Sequence, residues 1–234
     1  MGSPIILALD TDEIDIARNW IAATHESVST FKVGLEFFLK HGADGIAALR
    51  EAGDFELFLD LKLHDIPNTV GAATRSVGFL SPKFLTVHAS GGAQMISAAV
   101  SAAPSTSITA VTVLTSLGDD ELSEIGFRSS ALSTAVALAT LAISAGARSI
   151  VCSPLEVAAI RNIVDSQIQL ITPGVRPLGS DSGDQKRTTT PSEAITAGAN
   201  FVVIGRPITS LWQESAVAMS NQAKIILDSI VAKS

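Results

Sequence analysis

Short apolar runs rich in β-branched and aromatic residues alternate with helix-patterned segments along the whole chain, and this alternation restricts the fold more than any other feature. The strand-like runs fall at 5–9, 31–33, 56–61, 84–87, 108–113, 149–152, 169–172 and 201–204. Each is followed by a helix-like segment, at 12–22, 42–52, 69–78, 92–102, 133–145, 154–162, 191–197 and 214–232. Eight strand–helix units in one chain predict a single α/β domain over residues 1–234, a (β/α)8 TIM barrel. A doubly wound open sheet is the competing arrangement. It calls for a glycine-rich turn after its first strand, and Asp10-Thr11-Asp12 stands there instead. Asn68, Ser90, Ser153 and Thr190 sit where helix starts are expected, and Gly53, Gly146 and Gly198 just past helix ends.

Composition fits a barrel with a large core. Of 234 residues, 47% are hydrophobic and only 17% charged, which excludes a disordered chain. A net charge of −7, with 5% aromatics and no tyrosine, argues against nucleic acid or an anionic membrane as partner. A small anionic substrate stays open, because local charge decides that. The one cysteine, Cys152, excludes an internal disulfide. It follows Ile150-Val151, so a buried inert thiol is favoured over a nucleophile. Histidines at 25, 41, 64 and 88 lack zinc-type spacing. No charged region precedes the first apolar stretch, so no signal peptide is expected. The alanine-rich stretch 131–147 is interrupted by Ser133, Thr134, Thr140 and Ser144, and reads as a packed helix rather than a membrane span. A cytoplasmic protein is expected.

The position of the charges is more informative than their number. Asp10 ends the first strand, Lys32 lies within the second, and Asp60 and Lys62 end the third. Side chains two apart on a strand share a face, so Asp60 and Lys62 project together. Burying such charges is costly unless they are paired. In a barrel the C-terminal strand ends form the active-site face. A structural ion-pair network at the rim is the alternative, and four charges on three adjacent strands argue for a site instead. Asp65 follows in the next loop. A lysine among carboxylates stays protonated, which suits a proton donor.

A second group lies at the other end of the chain. The seventh strand runs into Pro173-Gly174-Val175-Arg176 and the eighth into Gly205-Arg206-Pro207. These are the loops where barrel enzymes usually hold phosphate. Gly205 allows close backbone approach, and Arg206 supplies a bidentate clamp; an ordinary turn with a surface arginine is the plainer reading. The polar segment 178–190 is long for a barrel loop and is expected to be a mobile lid closing on phosphate, with Gln185, Lys186 and Arg187 available to the same anion.

The ten residues from Asp60 to Thr69, DLKLHDIPNT, resemble the signature of bacterial-type orotidine 5'-monophosphate decarboxylases. Ile6-Leu7-Ala8-Leu9-Asp10, Phe31-Lys32-Val33-Gly34, Val87-His88-Ala89-Ser90-Gly91-Gly92, Val113-Leu114-Thr115-Ser116, Pro173-Gly174-Val175-Arg176-Pro177, Gly183-Asp184-Gln185-Lys186-Arg187 and Ile204-Gly205-Arg206-Pro207 follow in the family's order, so the resemblance covers nearly the whole chain. It implies a homodimeric barrel without metal or organic cofactor that converts orotidine 5'-monophosphate to UMP and carbon dioxide in pyrimidine biosynthesis.

The resemblance also implies roles. Lys62 protonates carbon 6 of the pyrimidine, Asp60 lies beside the departing carboxylate, and Lys32 completes the charge array. Asp10 and Lys32 bind the ribose. Asp65 and Thr69 reach into the partner subunit's site, with Ile66 and Pro67 between them contributing to substrate binding. Thr115, or else Ser116, lies near the pyrimidine. Pro173, Arg176, Gln185, Gly205 and Arg206 hold the phosphate region, and His88 is structural. The nearest alternative is a metal-dependent sugar-phosphate decarboxylase or aldolase on the same scaffold. A silent phosphate-binding protein would have no need of Lys62 and Asp60.

Overall fold

The structure, a computed structural model, describes residues 2–177 and 189–232. Its strands are β1 (Ile5–Ala8), β2 (Thr30–Val33), β3 (Glu56–Leu63), β4 (Phe84–His88), β5 (Ser107–Val111), β6 (Ser149–Val151), β7 (Gln169–Thr172) and β8 (Phe201–Ile204). They pair in parallel in chain order, and β1 pairs with both β2 and β8, so the sheet closes into a barrel. The helices are α1 (Ile14–Thr24), α2 (Leu35–Arg50), α3 (Pro67–Gly78), α4 (Ala93–Ala102), α5 (Asp119–Glu124), α6 (Ala131–Ser144), α7 (Val157–Arg161), α8 (Pro191–Thr196), α9 (Arg206–Thr209) and α10 (Ala216–Val231). The expected (β/α)8 fold is borne out.

Strand alternation builds two cores. Ile5 and Leu7 of β1 point outward into the large layer shared with the helices. Ile6 and Ala8 point inward, where they meet Phe58, Phe84, Ile171 and Val203. The rings of Phe58 and Phe84 meet edge-on with centroids 5.6 Å apart, and Phe84 meets Phe201 in the same way. Each fully buried side chain of this size contributes about 2 kcal/mol. This apolar plug fills the barrel, so a polar site can form only above or below it. Below it, Thr30 and Lys83 both donate to Glu56, and farther round the barrel the Ser149 hydroxyl bonds those of Ser107 and Thr109. Above it, the same inward periodicity reaches Lys32 and Asp60.

Boundaries depart from expectation where glycine or short polar turns intervene. Helix α2 begins at Leu35 rather than 42, because Gly42 (φ 57°) is a kink inside it, not its start. Helix α3 begins with Pro67 behind Ile66, so Asn68 lies within the helix and does not cap it. Ser90 lies in a 3-10 turn, Ala89–Gly91, and Gly92 precedes α4. Ser153 likewise stands ahead of the Glu156 cap of α7. Thr190 does cap α8, bonding the Glu193 N–H while Glu193 reaches back. The short helices α5 and α9 have too few residues to show an apolar period. Gly53, Gly146 and Gly198 all adopt positive φ past helix ends, as expected.

Gly198 is the most constrained of these. Its φ is 112°, and a Cβ there would come within 2.8 Å of the Arg161 Cγ. Arg161 in turn donates to the carbonyls of Gly198, Asp165 and Ile168 and to the Asn200 side chain, tying α7 to the strands beside it. Gly198→Ala is therefore predicted to destabilise the fold by about 1–2 kcal/mol, read as a lower urea midpoint at unchanged slope. An unchanged midpoint would show that the clamp can shift at no cost.

Candidate active site

The charges expected at the strand ends converge above the apolar plug. The Lys62 Nζ donates to both oxygens of Asp60, at 2.8 and 2.9 Å. The Lys32 Nζ lies 3.5 Å from Asp60 Oδ2 and 3.3 Å from Asp10 Oδ1. Asp60 thus serves two ammonium groups while nearly buried, at 8% exposure. A buried carboxylate is tolerable only with such compensation. Burial opposes its charge, but Lys32, Lys62 and a hydrogen bond from Thr86 outweigh that and hold its pKa below the usual carboxylate value. Burial likewise opposes the charge on Lys32, yet Asp60 and Asp10 outweigh it, and its pKa stands above the ordinary lysine value.

Lys62 reaches this position by an irregular route. Regular alternation would place it beside Asp60, but β3 is not regular here. Pairing with β4 shifts between Leu59↔Leu85 and Leu63↔Val87, and Lys62 takes φ 48°. A left-handed conformation in a non-glycine residue costs roughly 1–2 kcal/mol, and a bulge is a common device for re-aiming a side chain. The Lys62 N–H donates to Thr86 Oγ1 at 2.8 Å in place of a ladder bond. Thr86 had no sequence signal: a threonine inside an apolar strand reads as core.

A cavity of about 260 Å³ opens over this network. Its wall includes Asp10, Lys32, Asp60, Lys62, Thr115, Pro173, Gly174, Arg176, Gly205 and Arg206. Four cationic side chains and two carboxylates therefore line it, a local excess of positive charge in a protein of net −7. Phe58, Val111, Val113, Val151, Cys152 and Val203 supply an apolar side that the sequence did not mark as site. Cys152 is buried, as expected, and burial followed by the nearby Glu156 pushes its thiol far up. Gly205 leaves room over Asp10: a Cβ there would stand 3.4 Å from Asp10 Oδ2. Gly34 does the same for Lys32, whose Nζ would be 3.3 Å from an added Cβ.

Other expected site residues lie elsewhere. Asp65, Ile66 and Thr69 are exposed and, with Pro67, stand outside the cavity wall. The Asp65 carboxylate accepts the Ile66 N–H at 2.6 Å. Among the described residues the ion pair of Lys62 is with Asp60, not with Asp65. Ser116 is exposed and outside the wall that Thr115 joins. His88 is half-buried with its ring 5.3 Å from that of His64, and burial, then the His64 and Lys62 charges, lower its pKa. Gln185, Lys186 and Arg187, with the lid expected at 178–190, fall on 178–188 and lie outside the described residues. At that segment's edge, the Arg176 N–H donates to the Thr189 carbonyl at 2.8 Å.

A family model described as "Orotidine 5'-phosphate decarboxylase / HUMPS family" matches residues 3–218. The orotidine 5'-phosphate decarboxylase of Thermobifida fusca is 52% identical over 225 residues, 96% of this chain and 97% of that one. That of Paramagnetospirillum magneticum is 46% identical over 234 residues, 96% of this chain and 99% of its own. The crystal structure of orotidine 5'-phosphate decarboxylase from Lactobacillus acidophilus is similar with a TM-score of 0.83 at 33% identity, covering 97% of this chain and 99% of that one.

The network has a definite pH signature. Asp60 has a folded pKa below its ordinary 3.8, so the stability from its charge is present above pH 3.8 and lost as pH falls through the lower folded value. Asp60→Asn leaves two ammonium groups without their shared carboxylate and is predicted to cost roughly 3 kcal/mol at neutral pH. The acid limb of its stability profile should also flatten below pH 3.8. Urea unfolding from pH 2 to 8 checks both, and an acid limb identical to that of the unaltered protein would contradict the assignment.

Proposed function

The chain belongs to the orotidine 5'-phosphate decarboxylase / HUMPS family, and we propose that it converts orotidine 5'-monophosphate to UMP with Lys62 as the proton donor. It is a carboxy-lyase of pyrimidine biosynthesis by its relatives. The observation that carries the proton-donor role is the Lys62 ammonium held on both Asp60 oxygens at the cavity wall.

Breaking the bond from carbon 6 to the carboxylate leaves an electron pair on a ring carbon with no adjacent sink. A fixed ammonium stabilises that developing charge without reorganising. Lys62 then gives a proton to carbon 6, carbon dioxide leaves, and the neutral amine regains a proton from water. Asp60 stands beside the departing carboxylate and anchors Lys62. Lys32 balances the second oxygen of Asp60 and, with Asp10, binds the ribose. Thr115 faces the pyrimidine. Pro173, Arg176, Gly205 and Arg206 take the phosphate end, joined by Gln185 as the 178–190 segment closes. Binding energy from that remote end is available to assemble the site.

The active form on this reading is a cytoplasmic homodimer. Asp65, Ile66, Pro67 and Thr69 serve the neighbouring copy's site, a reading supported by the exposure of Asp65, Ile66 and Thr69 and by the absence of all four from their own cavity wall. No helix among the described residues is long and apolar enough to cross a membrane.

Chelator-treated protein should convert orotidine 5'-monophosphate to UMP, and Lys62→Ala should lower kcat by roughly a thousandfold or more. Substantial residual turnover would refute the proton-donor role. No conversion by the unaltered folded protein would move the reading to a sugar-phosphate substrate, tested with metal restored. Mixing inactive Lys62→Ala and Asp65→Asn chains should recover part of the activity, since one of the two sites in a mixed dimer would then carry both native residues. Mixed dimers shown to form without recovery would rule out shared sites.

A further inference from the structure

Thr86 is fully buried in β4, and its hydroxyl bonds both parts of the Lys62–Asp60 pair. Its Oγ1 accepts the Lys62 backbone N–H at 2.8 Å and donates to Asp60 Oδ1 at 2.9 Å. Asp60 Oδ1 is also the oxygen 2.8 Å from the Lys62 Nζ. The backbone of Lys62, the Thr86 hydroxyl, the Asp60 carboxylate and the Lys62 ammonium therefore close a ring of hydrogen bonds. We infer that Thr86 is a positioning residue for the reaction, fixing the reach and direction of the Lys62 ammonium. This inference rests on the reading of Lys62 as proton donor.

The physical case is the freedom that Lys62 would otherwise have. A lysine side chain has four rotatable bonds, so its ammonium is fixed only if both its backbone origin and its terminal partner are fixed. Its backbone sits at φ 48°, in the gap where β3–β4 pairing shifts. The Thr86 hydroxyl supplies the bond that holds Lys62 there. The same hydroxyl holds the carboxylate to which the ammonium is tied. Without it, the Lys62 N–H loses its partner inside the barrel wall and the bulge is free to relax, moving the proton donor relative to the substrate carbon. Thr86 does not line the cavity, so the phosphate and ribose contacts stay as they are. The loss should fall on kcat and spare KM, the pattern of an interaction that matters mainly in the transition state.

The test compares Thr86→Val, which keeps the shape and loses the hydroxyl, with Thr86→Ser, which keeps the hydroxyl. Both are assayed on orotidine 5'-monophosphate well below their unfolding midpoints, with rates referred to folded protein. Thr86→Val is expected to lose about tenfold to a hundredfold in kcat, the scale of a misplaced catalytic group, with KM changed by no more than about twofold. Thr86→Ser is expected to keep kcat within about threefold. A purely structural role would lower the unfolding midpoint of Thr86→Val and leave kcat per folded molecule unchanged, which would overturn the inference. A folded but slow Thr86→Ser would overturn it as well. If Thr86→Val does not fold, Thr86→Ala is read in its place. Failure of the underlying reading looks different: the unaltered protein would not decarboxylate, or Lys62→Ala would remain active.

Discussion

One carboxylate, Asp60, holds the site together. It sits nearly buried against two ammonium groups, and each depends on it: Lys62 for a fixed terminus, Lys32 for compensation of its own burial. Burying a single charge of this kind would cost several kcal/mol. The barrel tolerates the set because opposite charges alternate in space, from Asp10 past the end of β1 to Lys32 on β2 to Asp60 and Lys62 on β3. That order depends in turn on strand register. Ala8 pairs with Lys32, and Lys32 with Phe58, so Asp10 and Asp60 each stand two residues beyond the partners of Lys32, and its long side chain reaches up to both carboxylates. A slip of one residue in β2 or β3 would turn its charge into the helical layer.

The apolar plug and the charged layer above it are complementary. Phe58 and Phe84 fill the barrel beneath Asp60, so the network has a firm, dry floor on one side and a cavity on the other. In such a setting opposite charges interact more strongly than they would in water. The cavity also resolves an apparent conflict in the composition. The protein is acidic as a whole, yet Lys32, Lys62, Arg176 and Arg206 face one small space. An anion is recognised by the field where it binds, and the remaining negative charge is carried elsewhere on the surface.

Much of this was legible in the sequence because regular periodicity encodes it. The eight strand–helix units, the positive-φ glycines past helix ends and the inward position of Lys32 and Asp60 all follow from repeats of two and of about three and a half. What was not legible is where the periodicity fails. Gly42 looks like a helix start because a glycine inside a helix is unfavourable, and here it is a kink. Lys62 looks like an ordinary inward strand residue, and it is a left-handed bulge residue held by Thr86. The apolar half of the cavity was hidden for a different reason. Val111, Val151 and Cys152 have the composition of core, and burial alone does not separate a wall facing a ligand from a wall facing another side chain.

The split within DLKLHDIPNT carries the argument one step further. Its first four residues stay in the barrel wall, where Asp60 and Lys62 face the chain's own cavity. By His64 the strand has ended, and Asp65, Ile66 and Thr69 are exposed on the approach to α3. A run that begins in one site and continues outward has two possible economies. Either its second half is surface, or it meets something outside the chain. Ile66 is 65% exposed, beside the exposed Asp65 and Thr69. A second copy docked there would, on the proposed reading, cover Ile66 and bring its Asp65 carboxylate near an ammonium that, among the described residues, pairs with Asp60. On the proposed reading, the ten residues are therefore one sequence signature but two structural contributions, the first fixed by the barrel and the second by assembly.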